Sequence, residues 1–295
     1  MREVIITLGT IVFFFLFTSI WGFYISIRPP KIISQITPKD LGLDYENITF
    51  ATEDGIKLSG WYIPSKTLPD STNQPTGKNK AKKNKAIILL HGYPADKGDI
   101  LPALSFLNKK YNIFLFDFRY LGQSEGKYTT AGAKESEDLL AAVKFLKSRD
   151  IEEFGIWGFS LGGAVALTAA PKIPEVRAIV SESSYASLDL MALELYRIPI
   201  LKYPLAHLTG FWSKIFLGID LKKVSPAESA KGLEIPILVI HSKNDEVIPF
   251  KNALLIQEAL KNKSKAEFWF QENLIHGQLN EEYQKRIEGF FDENL

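Results

Sequence analysis

The chain contains 295 residues, of which 46% are hydrophobic and 23% are charged, and 35 Lys and Arg nearly balance 34 Asp and Glu. This composition is typical of a folded globular protein. The formal net charge of +1 argues against nucleic acid as the main partner, because phosphate binding requires a strong basic excess. The sequence has no cysteine, which excludes disulfides, thiolate metal sites, iron–sulfur clusters and a cysteine nucleophile.

Residues 4–27 form an uncharged apolar stretch near the N-terminus. As a helix this stretch would be about 36 Å long, enough to cross a hydrocarbon core of about 30 Å. Trp21 and Tyr24 suit a membrane interface. The stretch exceeds the core of a signal peptide, and no small-residue cleavage site follows it. We therefore predict a single-pass membrane anchor over residues 1–31, rather than a cleaved signal peptide or a buried core helix.

The side of the membrane stays open. Arg28, Lys31 and Lys39 follow the apolar stretch, whereas Arg2 and the amino terminus precede it. By literal count, the positive-inside rule favours the cytoplasm for the rest of the chain. The difference is too small to decide.

Strand patterns alternate with helix patterns over residues 45–295. Residues 47–52 and 57–63 flank Asp54-Gly55 and predict a hairpin, and the polar stretch 67–85 predicts a flexible basic loop. The later strand patterns lie at 86–90, 113–116, 154–157, 178–180, 237–240 and 266–270, and the helix patterns at 100–109, 133–148, 161–170, 252–260 and 278–291. This alternation predicts an α/β fold with a doubly wound, mostly parallel sheet. Residues 187–223 break the pattern and predict a helical cap over the ligand-binding edge of the sheet.

The segment from Gly158 to Gly162 reads GFSLG, directly after a predicted buried strand and before a predicted helix. This is the context of a nucleophile elbow, in which Ser160 projects from a tight turn and the flanking glycines avoid collisions across it. The start of the helix at Leu161 directs free N–H groups to the same place. We predict that Ser160 is a nucleophile.

A serine nucleophile needs a general base, and the chain has four histidines. His276 follows the last predicted strand, where a side chain can reach across the sheet edge, and is our choice. His241 is second, because it ends an earlier strand. His91 precedes Ser160, and His207 lies in the apolar insertion, where a structural role is expected.

The base needs an orienting acid, which in this chain order falls between the nucleophile and the histidine. Asp245 lies a few residues after the strand at 237–240 and is our choice. Glu246 is expected to point elsewhere, and Glu182, after the strand at 178–180, is the rival acid. Backbone N–H groups of Tyr93 and Leu161 are predicted to form an oxyanion hole.

Several short segments together resemble the α/β-hydrolase superfamily, within the membrane-anchored Bem46-like and serine-aminopeptidase-like group. They are HGYP at 91–94, FDFRYLGQSEG at 116–126, GFSLGG at 158–163, SPAES at 225–229, IPILVIHSKNDEVIP at 235–249 and HG at 276–277. The resemblance covers residues 45–295 and implies the same triad and oxyanion donors. Tyr120 departs from the small glycine that many relatives carry there. In the same segment, Asp117 and Arg119 are expected to pair as loop scaffolding.

The predicted activity is hydrolysis of esters or thioesters of apolar acyl groups through an acyl-enzyme, with no metal and no cofactor. The expected partners are a small or lipid-like acyl substrate and a membrane. An apolar acyl-binding wall is expected from Leu190, Leu193, Leu195, Ile198, Phe211, Trp212 and Phe216. Two alternatives stay open: an amidase or peptidase of the serine aminopeptidase type, and a non-catalytic, membrane-tethered binding module on a hydrolase scaffold.

Overall fold

A computed structural model describes residues 1–66, 85–196 and 198–295. The predicted flexible loop at 67–85 therefore lies outside the described residues, except for Lys85. The strands, numbered in chain order, are β1 Glu46–Ala51, β2 Lys57–Ile63, β3 Lys85–Leu90, β4 Asn112–Phe116, β5 Glu153–Phe159, β6 Val176–Glu182, β7 Ile237–Ser242 and β8 Ala266–Gln271. Each predicted strand is present, with its bounds shifted by at most two residues.

These strands form one sheet in the order β1-β2-β4-β3-β5-β6-β7-β8. β1 pairs antiparallel with β2, and β2 with β4, whereas all the other pairs are parallel. The continuous apolar runs in the sequence are therefore explained, because a parallel strand covered on both faces buries every side chain. The predicted mostly parallel, doubly wound sheet is confirmed.

Helices cover both faces of this sheet. Their bounds are α1 Arg2–Ile27, α2 Lys97–Leu104, α3 Glu135–Lys147, α4 Leu161–Ala169, α5 Leu188–Glu194, α6 Lys202–Trp212, α7 Pro226–Ala230, α8 Lys251–Leu260 and α9 Tyr283–Asn294. α3, α4 and α8 pack on one face, and α2 and α9 on the other. The parallel strands all end at one edge of this sheet, which is the edge at which open α/β sheets commonly bind ligands.

The apolar insertion at 187–223 is helical. It contains α5 and α6, and α6 continues into a π-helical turn, Ser213–Leu217, followed by a 3-10 turn, Leu221–Lys223. Along α1, all faces of the first half are exposed, and only Ser19 and Phe23 are buried.

The expected pairing of Asp117 with Arg119 is wrong. Asp117 instead accepts from the buried Lys97 ammonium at 2.6 Å, and Arg119 binds the buried Asp138 at 2.7 Å and Asp54 at 2.9 Å. β4 ends at Phe116 and the chain turns at residues 119–120, so the two side chains leave the strand end in different directions and find different partners.

Candidate active site

Ser160 occupies the turn between β5 and α4. Its φ is 52° and its ψ is −111°, a strained conformation that residues with a side chain rarely adopt. The backbone around it is too close for side chains: a Cβ on Gly162 would lie 2.2 Å from the carbonyl oxygen of Leu90, and one on Gly158 would lie 2.4 Å from the carbonyl carbon of Gly162. These close approaches explain both glycines of the motif.

Asp245 and His276 are in direct contact. The Nδ1 atom of His276 lies 2.8 Å from Oδ2 of Asp245, while Oδ1 accepts the backbone N–H groups of Val247 at 3.0 Å and Ile248 at 2.8 Å. Burial opposes ionisation of Asp245, but the hydrogen bonds from His276 and Ile248 outweigh it, so the pKa of Asp245 lies below its usual value. Asp245 is therefore a charged acceptor that orients the imidazole.

The imidazole of His276 lies beside the turn that carries Ser160. Its ring packs on Phe159, the residue before Ser160, with ring centroids 4.7 Å apart. Gly277 contributes to this approach, because its φ of 76° suits glycine and a Cβ there would lie 3.1 Å from the same ring. In the ranges that the structure describes, no hydrogen bond joins the Ser160 hydroxyl to His276. Asp245 and His276 are thus in contact, and the His276 ring packs on the residue that precedes Ser160.

The predicted oxyanion donors flank the serine at the same cavity. Tyr93, Ser160 and Leu161 all line it. Outside the masked residues, no hydrogen bond engages the N–H of Tyr93 or of Leu161. The role of these two N–H groups as oxyanion donors stays a prediction.

The cavity above Ser160 has a volume of about 640 Å³, which is within the size range of small-ligand sites. Its walls are mostly apolar, and its charged lining residues are Glu194, Lys202 and Glu246. Tyr185 and Leu188 line it near the start of the cap. The cavity therefore favours a ligand with an apolar body.

The predicted acyl-binding wall is largely wrong. Of its seven residues, only Leu195 lines the cavity. Trp212 and Phe216 instead contact α1: the Trp212 indole donates to the Ser19 hydroxyl at 3.0 Å, and the Phe216 ring stacks on Phe23 at 6.3 Å. The cap helices are apolar on more than one face, so the sequence could not show which face lines the cavity.

The rival acid Glu182 has other partners. Its Oε2 atom accepts the Tyr283 hydroxyl at 2.5 Å, and that hydroxyl accepts the indole N–H of Trp157 at 3.0 Å. Complete burial raises the pKa of Glu182 to about 7, although the Tyr283 hydrogen bond opposes this shift. In the described chain, no hydrogen bond links Glu182 to His276.

The other three histidines differ from His276 in their surroundings. His241 lies 3.6 Å from Asp245 and contacts the carbonyl of Ile248 at 2.8 Å. The Nε2 atom of His91 accepts the N–H of Phe118 at 3.1 Å, and burial lowers the pKa of His91. His207 is exposed on α6. The residues that the structure describes hold no cluster of three His, Asp or Glu side chains placed for a metal ion.

Sequence reasoning missed the contribution of α1 to this site. Phe23, Ser26 and Ile27 line the same cavity as Ser160. The available signal was the spacing of Ser19, Gly22 and Ser26, since small residues three and four apart on a helix permit close packing against another element.

The sequence and the fold match a known family. A family model described as alpha/beta hydrolase fold matches residues 85–216. The YqkD protein of Bacillus subtilis is 30% identical over 219 residues, which cover 70% of this chain and 70% of YqkD. The chain therefore belongs to the α/β-hydrolase fold family.

More particular similarities agree with the Bem46-like group. The bem46 protein of Schizosaccharomyces pombe is 26% identical over 229 residues, covering 75% of this chain and 67% of bem46. The esterase Pf2001 of Pyrococcus furiosus superposes with a TM-score of 0.72 at 27% identity, covering 91% of this chain and 99% of that structure. The chain spans about two thirds of the length of the curated relatives it matches. Family membership and the esterase likeness support a hydrolase.

Proposed function

We propose that the protein is a serine hydrolase that cleaves esters or thioesters of apolar acyl groups, with Ser160, His276 and Asp245 as its triad. The hydrogen bond of 2.8 Å between His276 and Asp245, beside a serine on a strained turn, carries the proposal. This bond fixes the proton on Nδ1, which leaves Nε2 free to accept the Ser160 proton. Catalytic hydrogen bonds of unliganded enzymes are commonly long and tighten when substrate binds.

The proposed reaction has two steps. His276 takes the Ser160 proton while Oγ attacks the carbonyl carbon, and the N–H groups of Tyr93 and Leu161 stabilise the oxyanion. The imidazolium then protonates the leaving alcohol or thiol, which leaves an acyl-serine. Water deprotonated by the same imidazole hydrolyses this intermediate and restores the serine. The apolar cavity would hold the acyl group.

We also propose that α1 anchors the protein in a membrane. Among the described residues, α1 is the helix long and apolar enough to span one. Phe13 and Phe14 are 71% and 69% exposed, an exposure that is costly in water and favourable in lipid. The length of α1 and the exposure of its apolar side chains both support its role as an anchor.

A fluorophosphonate probe tests the nucleophile. We expect the wild-type protein to be labelled, Ser160→Ala to be unlabelled, and the matched control Ser148→Ala, at the exposed C-terminal end of α3, to be labelled at the wild-type rate. A folded wild-type protein that is not labelled would contradict the proposal and favour a binding module. Faster turnover of aminoacyl amides than of p-nitrophenyl esters would contradict the esterase assignment.

A further inference from the structure

One face of the last part of α1 packs against the hydrolase domain. Ser19 and Phe23 are buried, and Gly22, Ser26 and Ile27 are partly buried, whereas residues 1–14 are exposed on every side. These positions recur every three or four residues and so form one stripe along the helix. The helix therefore has a lipid-accessible part and a docked part.

The cap holds the docked part through side chains. The Trp212 indole donates to Ser19, and Phe216 stacks on Phe23. Tyr196 lies next to Gly22, and its hydroxyl would be in ordinary contact, at 3.6 Å, with a Cβ at that position.

The loops around the active site hold the end of α1 through its backbone. The Tyr93 hydroxyl donates to the carbonyl of Ser26 at 2.8 Å; burial raises the pKa of Tyr93 to about 12, so the hydroxyl keeps its proton. The N–H of Thr129 donates to the carbonyl of Ile27 at 2.9 Å. The proposed oxyanion loop and the cavity wall are thus both attached to α1.

Tyr120 takes part in the same attachment. Its φ of 69° lies in the left-handed region that favours glycine, and its hydroxyl donates to the carbonyl of Pro29 at 2.9 Å. The contact with the segment that follows α1 gives a reason for a tyrosine at this strained position.

The docked part of α1 also reaches hydrocarbon depth in the proposed membrane. About 20 helical residues cross the hydrocarbon core, so a span that begins at Val4 ends near Phe23. A span that ends at Ile27 places Ser19 about 12 Å below that end, at about 1.5 Å per residue. In either case, the contact between Ser19 and Trp212 lies within the leaflet. Lipid contact then accounts for the exposed apolar side chains of the cap that neither line the cavity nor pack on α1: Ile198, Ile200, Phe211 and Ile215.

We propose that α1 is a wall of the substrate cavity and that the cavity takes its acyl chain directly from the leaflet that holds α1. The substrate class is then an acyl ester or thioester lipid resident in the same membrane. This inference rests on the proposed function, because it requires both the Ser160 nucleophile and the anchoring role of α1.

The first test replaces a residue of α1 that lines the substrate cavity. Full-length Ile27→Trp and its matched control Ile11→Trp, 59% exposed on the same helix, are compared in phosphatidylcholine vesicles. We expect Ile27→Trp to lower kcat/KM for palmitoyl esters about tenfold or more while butyryl esters change less than about threefold, and Ile11→Trp to match the wild type on both. Fluorophosphonate labelling of Ser160 reports whether each variant retains a folded site.

The second test changes the location of the substrate. Wild-type protein and a palmitoyl ester lipid are placed either in the same vesicles or in separate vesicles. We expect hydrolysis only when they share a bilayer. Equal rates in both arrangements, or an unchanged chain-length profile in a labelled Ile27→Trp protein, would overturn the inference while leaving the serine hydrolase proposal intact. Absence of hydrolysis of every ester, butyryl included, would instead overturn the proposed function.

Discussion

Replacing Asp245 by asparagine removes the charge of the proposed acid with little change of shape. Oδ1 of Asp245 accepts two backbone N–H groups, and Oδ2 faces Nδ1 of His276 at 2.8 Å. An amide satisfies two N–H donors only with its oxygen, so its NH₂ group must face Nδ1. The imidazole then carries its proton on Nε2, the nitrogen that must accept the proton of Ser160. We therefore expect a folded variant in which His276 carries its proton on the wrong ring nitrogen for catalysis.

We expect Asp245→Asn to lower kcat about a thousandfold to ten-thousandfold, which corresponds to about 4–5.5 kcal/mol of transition-state stabilisation, with KM nearly unchanged. The assay is hydrolysis of p-nitrophenyl esters of one apolar chain length by full-length protein in detergent micelles. The matched control is Asp292→Asn, which breaks an exposed ion pair with Lys110 and is expected to keep wild-type kcat.

The same assay decides between the two candidate acids. Glu182→Gln is expected to lower kcat less than about tenfold, because Glu182 is bonded to Tyr283 rather than to His276. The reasoning is refuted if Asp245→Asn retains kcat within tenfold of the wild type while Glu182→Gln loses a thousandfold. That result would assign the role of the orienting acid to Glu182, at the end of β6, instead of Asp245, in the loop after β7.

Three further predictions concern stability, measured by thermal unfolding in micelles. Gly162→Ala places a Cβ 2.2 Å from a backbone oxygen and should cost about 2–3 kcal/mol, whereas Gly289→Ala, with nothing within 4 Å, should not lower the melting temperature. Lys97→Met leaves the buried Asp117 unpaired and should cost about 3–5 kcal/mol; an unchanged melting temperature would contradict this. The pKa of Glu182 is about 7 in the fold against an ordinary 4.5, so the folded state holds more protons between these values and its stability falls as pH rises through them. The fall should total about 3 kcal/mol and be absent in Glu182→Gln.

Patterns that depend on local sequence were predictable here. The run at 86–90 is continuously apolar because β3 is covered on both faces, and burial of each residue from Ala86 to Leu90 follows. The elbow was predictable because Gly158 is required by a contact within the turn, with Gly162, and because the strand–turn–helix context of the motif is specific. The contact that requires Gly162, with Leu90 of β3, is not local in sequence.

Contacts between distant segments were not predictable. Lys97 has the composition of a surface residue, yet it is buried because Asp117 and the Trp61 ring, 4.7 Å away, surround its ammonium. Such a pair leaves no mark in hydrophobic periodicity. The direct contact of Asp245 with His276, across 31 residues, was accessible only through the chain order of a known mechanism.

The docking of α1 was hidden by its uniform hydrophobicity. In a surface helix of a water-soluble protein, the buried face is apolar and the exposed face is polar. In a membrane-spanning helix, the face that contacts lipid is as apolar as the face that contacts protein. Phe14 and Phe23 are the same residue type, yet Phe14 is 69% exposed and Phe23 is 4% exposed. Hydropathy cannot separate them.

The shared wall between α1 and the cavity bears on how a truncated enzyme would behave. A fragment that starts at Tyr45 would lose the carbonyls that pair with the Tyr93 hydroxyl and the Thr129 N–H, and the space now filled by Phe23 and Ile27 would open to bulk water. Solubilising the catalytic domain by cutting away its helix would thus remodel its specificity, so kinetic constants measured on such a fragment would belong to a different binding site.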